Sequence, residues 1–227
     1  MIGTHPRAES KALDDLLRPL MILTTTTGVV DAISFVGLER VFTANMTGNV
    51  VFLGFALGGA EGLSMQRSLA ALTAFAIGAM LAGLVTNRPV IRTQKRQLAF
   101  GAGTEAALLA AAAVIAVGQT PPLSSSLAYA LIVLTALAMG VRNAVVRKLG
   151  VADLTTTVLT LTITGLAGDA PFVGGQGTRS GRKALSIALM LIGALIGTML
   201  FLNWGFTVPL ALSAVLASTV VVATVRS

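Results

Sequence analysis

The stretch Phe42–Gly54, "FTANMTGNVVFLG", decides how this chain is built. It gathers Thr43, Asn45, Thr47 and Asn49 inside a sequence that is otherwise strongly apolar. Of 227 residues, 55% are hydrophobic and 11% charged, and the mean hydropathy is +0.86. Soluble domains carry about 45–50% apolar and about 25% charged residues, so this composition belongs to an integral membrane protein. A span needs ~20 largely apolar residues to cross a hydrocarbon layer of ~30 Å, which leaves room for about six to eight spans and no soluble domain. Whether the amide-rich stretch is one of those spans, or only dips into the membrane, sets the architecture.

Working outward from it, six long apolar segments are expected to cross: Leu20–Leu38, Ser68–Asn87, Ala99–Gly118, Leu123–Val146, Ala184–Asn203 and Phe206–Val225. Two shorter uncharged stretches, Phe42–Gly59 and Leu154–Gly168, are rich in threonine and glycine. The basic residues arbitrate between full and partial crossing, because short cytoplasmic loops carry the excess of Lys and Arg. With the N-terminus inside and neither short stretch crossing, Arg7, Lys11, Arg18, Arg88, Arg92, Lys95, Arg96, Arg147, Lys148, Arg179, Arg182, Lys183 and Arg226 face the cytoplasm. Only Arg40 and Arg67 then face out, and Arg142 lies within a span. If both stretches cross, the basic residues divide almost evenly; a seven-span arrangement with the N-terminus outside gives an intermediate bias. The preferred fold is all-α and polytopic, six full transmembrane helices plus two half-span or re-entrant helices, with seven or eight full spans as the alternatives. Residues 1–17 form a cytoplasmic N-terminal tail and residues 18–227 a single transmembrane domain, and the C-terminus is also cytoplasmic.

The two halves repeat. "GVVDA" at Gly28–Ala32 returns as "GVRNA" at Gly140–Ala144, an offset that also pairs Thr43 with Thr155. After a slightly longer loop, Gly78-x-x-x-Ala82 is echoed by Gly193-x-x-x-Gly197. Repeat 1 covers about residues 18–119 and repeat 2 about residues 123–227. Three crossings per half put the second repeat into the membrane upside down, an inverted arrangement common among transporters.

The runs "TTGVVDAISFVGLERVFTANMTGNVVFLGFAL" and "AMGVRNAVVRKLGVADLTTTVLTLTITGLAGD" resemble the YoaK family of bacterial inner-membrane proteins over most of the chain, with "ANMTGN" and "LTTTVLT" as the specific blocks. The resemblance implies a multi-pass fold in the bacterial inner (cytoplasmic) membrane and names no substrate.

Chemistry must come from the residues. In the half-span reading, residues 39–46 descend extended by about 26 Å and a helix from Thr47 to Gly59 climbs back by ~20 Å. Its unpaired first amides and positive dipole end would lie at depth, where irregular backbone is tolerated only against protein or a watered cavity. Thr43, Asn45, Thr47 and Asn49 are therefore candidate substrate-binding residues, with Thr155 and Thr157 as their counterparts in the second repeat. The competing reading is that these side chains only cap a helix and bond across to neighbours. A carboxylate within a span marks a functional site by default, and Asp31 is such a carboxylate. Its expected partner is Arg142, which precedes Asn143, the repeat counterpart of Asp31. Glu105, six residues into its expected span, is a secondary candidate that stays hydrated at the cytoplasmic interface.

Exclusions are equally definite. With no cysteine there are no disulfides, thiolate metal sites or cysteine nucleophiles, and the single histidine, His5, sits in the polar tail. No metal site, cofactor or catalytic motif is expected, and the chain is not an enzyme. The opening "MIGTHPRAESKALDD" lacks an apolar h-region, so the first span directs insertion. The charge of +7 reads as loop orientation rather than nucleic-acid binding. The loop holding Gly174, Gly175 and Gly177, with its basic residues, is suited to lipid headgroups. Gly193-x-x-x-Gly197 packs helices within the chain or between copies as a homo-oligomer. The expected function is passage of an unknown small solute or ion, as transporter or channel, at the meeting point of the two half-spans. A structural or lipid-interacting membrane protein is the alternative.

Overall fold

A computed structural model describes residues 6–150, 159–171, 174–175, 177 and 180–226. The described residues form eight α-helices: α1 (Pro6–Gly37), α2 (Met46–Leu57), α3 (Met65–Thr86), α4 (Gln94–Ile115), α5 (Ser125–Leu149), α6 (Leu159–Gly168), α7 (Ser180–Trp204) and α8 (Thr207–Arg226), with a short 3₁₀ turn at Pro89–Ile91. No strand occurs among them. The six expected spans are α1, α3, α4, α5, α7 and α8, each long and apolar enough to cross. The helix of α1 begins at Pro6 and runs through residues expected to be a tail, with its membrane-length portion at Leu16–Gly37. By contrast, α2 has 12 residues, about 18 Å of helix at ~1.5 Å per residue, too little to cross ~30 Å of hydrocarbon. Only ten residues of α6 are described. Among the described residues, the fold has six helices long and apolar enough to cross and two shorter apolar ones.

Contacts between the ends of the helices set their directions. Gly37, at the end of α1, faces the rings of Phe201 in α7 and Phe206 just before α8. Arg67 at the start of α3 pairs with Glu39 at 2.8 Å. The Thr207 hydroxyl donates to the Ala116 carbonyl after α4 at 2.9 Å. At the opposite end, Lys148 near the end of α5 donates to the Thr86 carbonyl at 2.8 Å and to Asn87 Oδ1 at 2.6 Å, closing the C-terminus of α3. Accordingly α1, α4 and α7 run one way and α3, α5 and α8 the other.

The repeat is written into the packing. An added Cβ at Gly28 meets the Met190 carbonyl of α7, and one at Gly140 meets the Phe75 carbonyl of α3. A Cβ at Gly193 meets the Thr25 carbonyl of α1, and one at Gly78 meets the Leu137 carbonyl of α5. Each contact is the repeat image of the other, under the two offsets that relate "GVVDA" to "GVRNA" and Gly78 to Gly193. Backbones approach this closely only where side chains are absent, the general device of helix association in membranes. The first helix of each repeat is thus crossed by the third helix of the other, while α4 and α8 pack on one another. Three crossings per repeat with these symmetric contacts make an inverted repeat.

Candidate functional site

The chain turns sharply after α1. Glu39 and Arg40 both adopt φ of +59°, a left-handed conformation uncommon for non-glycine residues and found at strained, functional turns. The following residues then bury themselves: Val41, Thr43 and Ala44 are almost wholly enclosed. Their backbone needs partners at that depth, and the polar side chains supply them. Asp31 Oδ1 accepts the Ala44 amide at 2.8 Å and the Thr43 amide at 3.2 Å. Asn49 clamps Phe42 at both backbone groups, its Oδ1 accepting the amide at 3.0 Å and its Nδ2 donating to the carbonyl at 2.6 Å. Asn45 is the N-cap of α2, accepting the Gly48 amide at 3.4 Å. The ring of Phe42 stacks on Phe35 at 4.9 Å and on Phe52 at 5.7 Å, and Phe35 and Phe52 are themselves 6.0 Å apart, so the three rings form one cluster.

The four polar residues therefore have different fates. Asn49 is fully enclosed, with its amide committed to Phe42. Thr43 is equally buried, and its hydroxyl has no hydrogen-bond partner. Asn45 and Thr47 are exposed at the first turn of α2 and line a cavity of about 370 Å³ together with Asp31, Met190 and Thr160. Asp31 lies six residues before the end of α1, about 9 Å along the helix from that end. The cavity thus joins α1, the N-terminus of α2, the start of the described part of α6 and the middle of α7. Thr155 and Thr157 lie outside the described residues.

The expected Asp31–Arg142 ion pair does not form. Arg142 is fully buried and spends its guanidinium elsewhere: Nη1 donates to Glu105 Oε1 and to the Leu23 carbonyl, both at 2.9 Å, and Nη2 donates to Thr27 Oγ1 at 2.7 Å and Met139 Sδ at 3.0 Å. One arginine so ties α5 to α1 and α4. The physical reason is geometric. Asp31 already holds two backbone amides, whereas Glu105 has no other donor.

Nor is Glu105 hydrated at an interface. It is fully buried, because α4 begins at Gln94 rather than Ala99, which moves Glu105 halfway along the helix. Its Oε2, like Arg142 Nε, has no partner. Asn143, half-buried, donates to the Met139 carbonyl at 2.8 Å within its own helix. Lys183, expected in a solvated loop, is buried and pairs with Asp169 at 2.8 Å where α6 meets α7. The role of Glu105 is the residue assignment that sequence reasoning missed. The available signal was charge bookkeeping, since Asp31, Arg142 and Glu105 are three ionisable groups inside spans.

A second cavity, of about 520 Å³, lies at the end of the bundle where α1 finishes, lined by Phe35, Glu39, Arg40, Arg67 and the Pro121–Leu123 loop. Phe35 borders this outer cavity and Phe52 borders the inner one. Through these two rings the Phe35–Phe42–Phe52 cluster touches both cavities.

Among known proteins, a family model described as protein of unknown function (DUF1275) matches residues 20–223. The chain is also 33% identical over 185 residues to a Bacillus subtilis (strain 168) protein named UPF0700 transmembrane protein YoaK, covering 78% of this chain and 80% of that one. No solved structure matches.

Proposed function

This chain belongs to the DUF1275 family and is similar to the transmembrane protein YoaK, and from that premise we propose that it passes a small solute or ion across the bacterial inner membrane through the cavity beside Asp31. The observation that carries the reading is the cavity itself. A structural protein gains nothing from a hollow of about 370 Å³ that sets Asp31, Asn45, Thr47 and Thr160 into an otherwise apolar wall, between the N-terminus of a half-span helix and a buried carboxylate. The charge of the site favours a cation. Asp31 is the charged side chain among the described residues lining the cavity, and the nearby Thr43, Ala44 and Gly48 amides are already engaged by Asp31 and Asn45. The route proposed for access runs from the outer cavity past the Phe35–Phe42–Phe52 cluster, whose Phe35 borders the outer cavity and Phe52 the inner one. Catalysis forms no part of the proposal.

Orientation follows from the charged ends. Arg40 and Arg67 are the basic residues at the end of the bundle that bears the outer cavity, while Arg88, Arg92, Lys95, Arg96, Arg147 and Lys148 cluster at the other. The positive-inside rule places the second end, with both termini, in the cytoplasm. Lipid headgroups are the natural partners of that basic end, and the chain works alone or as a homo-oligomer.

The test is flux into proteoliposomes of the purified protein, with potassium, methylammonium and protons as probes. At least one probe is expected to enter faster than into protein-free vesicles, and Asp31→Asn to abolish that excess. Entry of none of the three above the protein-free rate, or equal rates for wild type and Asp31→Asn, overturns the reading. Because no native cysteine is present, Ser64→Cys and Thr93→Cys report orientation without background. An impermeant thiol reagent added to spheroplasts is expected to label the first and spare the second.

A further inference from the structure

Asp31, Arg142 and Glu105 are all buried, at 5%, 0% and 0% exposure, and they are connected. Arg142 Nη2 donates to Thr27 Oγ1, and Asp31 follows Thr27 by one turn on the same face of α1, about 6 Å along the helix. Two carboxylates therefore flank one guanidinium in the low-dielectric interior. If all three are ionised, the set carries one uncompensated negative charge, which the interior of a membrane protein does not tolerate without a partner.

No other described charge compensates it. On α5, Lys148 is held at the far end by Thr86 and Asn87. On α8, which packs against both α1 and α4, the ionisable residue is Arg226, at its far end. On α4 itself, Lys95 and Arg96 lie in the first turn, more than two turns from Glu105. Arg18 on α1 is exposed, and Lys183 on α7 is committed to Asp169. The two carboxylates are not equivalent. Asp31 is held by two backbone amides and borders the cavity, whereas Glu105 is fully buried with Oε1 on Arg142 and Oε2 unpartnered.

We propose that Glu105 Oε2 is a proton-binding site, and that Asp31, Arg142 and Glu105 together hold one exchangeable proton. In the resting set the proton sits on Glu105 Oε2, Arg142 remains protonated and Asp31 remains ionised, giving no net charge. When a cation enters the cavity beside Asp31, the proton leaves Glu105 for water and the Arg142–Glu105 ion pair is completed, so the charge of the set with its cation is again zero. The exchange requires no bond other than O–H to form or break. This deepens the transport reading by giving the site its coupling ion, and it needs no transported solute to be tested.

The experiment is infrared difference spectroscopy of the purified protein in lipid nanodiscs, comparing high and low pH in buffer without added solute. The C=O stretch of a protonated carboxylic acid is expected to grow as pH falls, to vanish in Glu105→Gln, and to change frequency in Glu105→Asp. Asp31→Asn removes the excess charge, so the midpoint of the band is expected to move to lower pH by about one unit or more. A purely structural Glu105–Arg142 pair would show neither effect. A wild-type protein without the band, a band that survives Glu105→Gln, or an Asp31→Asn midpoint equal to that of wild type overturns the proposal. Should Glu105→Gln fail to elute as a monodisperse protein, Glu105→Asp decides: a shifted band supports the site and an unshifted one refutes it. Failure of the flux assay with a titrating Glu105 band would remove the passage and leave the proton site. An active transporter whose band ignores Glu105 would do the reverse.

Discussion

Replacing Arg142 by methionine keeps most of its length and removes its charge, and the structure sets the outcome. The guanidinium donates to Glu105, to the Leu23 carbonyl, to Thr27 and to Met139. Hydrogen bonds between membrane helices average about 0.6 kcal/mol in double-mutant cycles, so the contacts to α1 are a minor part of the loss. The larger part is Glu105, fully buried and left without its only donor. Breaking a buried ion pair from one side typically costs about 3–5 kcal/mol, while replacing both partners with apolar groups is often neutral. Arg142→Met is therefore expected to destabilise by about 3–5 kcal/mol, and Glu105→Leu by a similar amount because it strands the arginine. The double variant should recover at least about 3 kcal/mol relative to the sum of the single losses. The cycle is read from equilibrium unfolding in mixed micelles at a pH above the titration of Glu105, where the Arg142–Glu105 ion pair is complete, with helicity as signal. Asp31→Asn serves as the control pair for Arg142→Met and should show much weaker coupling. A Glu105/Arg142 double variant as damaged as the sum of its singles, or a larger coupling through Asp31, would refute the pairing.

Two further outcomes follow from the geometry. Gly140→Val and Gly193→Val each drive a side chain into the carbonyl of a crossing helix and are expected to cost about 1–3 kcal/mol by overpacking, whereas Gly83→Val, with open space at its Cβ, should be close to neutral; thermal unfolding midpoints check both. Asn49→Leu strands the Phe42 amide and carbonyl and is expected to cost about 2–6 kcal/mol at ~1–3 kcal/mol for each unpaired group, against about 1 kcal/mol for loss of the Asn45 cap in Asn45→Ala, measured by the same unfolding assay.

Much of this architecture is legible before any coordinates, because it rests on local quantities. Span length, loop charge and the Gly28/Gly140 and Gly78/Gly193 echoes are one-dimensional properties, and each reappears as a helix, an end or a crossing. The half-span at Met46–Leu57 was readable for the same reason, since a buried turn must import its own hydrogen-bond partners and "TANMTGN" advertises them. Partner choice was not readable. Asp31 and Arg142 look like mates in sequence because they occupy related positions of the two repeats, but an inverted repeat makes related positions equivalent in environment without making them neighbours. Glu105 was misplaced by a few residues of span boundary, enough to turn a buried group into an interfacial one. Asn49 and Asn45 are equally polar in sequence, yet one binds Phe42 and the other faces the cavity, a distinction that needs the path of the loop.

The crossed repeats also fix an order in time. The close face of α3 at Gly78 meets its partner as soon as Gly140 emerges, but the corresponding face of α1 at Gly28 must wait for Gly193, some 165 residues later in the chain. At about 5–20 residues per second of synthesis, α1 spends roughly 10–30 s in the membrane without its main partner, carrying four consecutive threonines and Asp31. The threonines occupy themselves meanwhile, each bonded back to the carbonyl four residues earlier in its own helix. Asp31 can collect the amides of Thr43 and Ala44, which follow it by 12 and 13 residues. The polar loop after α1 is thus also a nursery for α1, keeping the first helix presentable to lipid until the second half of the protein arrives to enclose it.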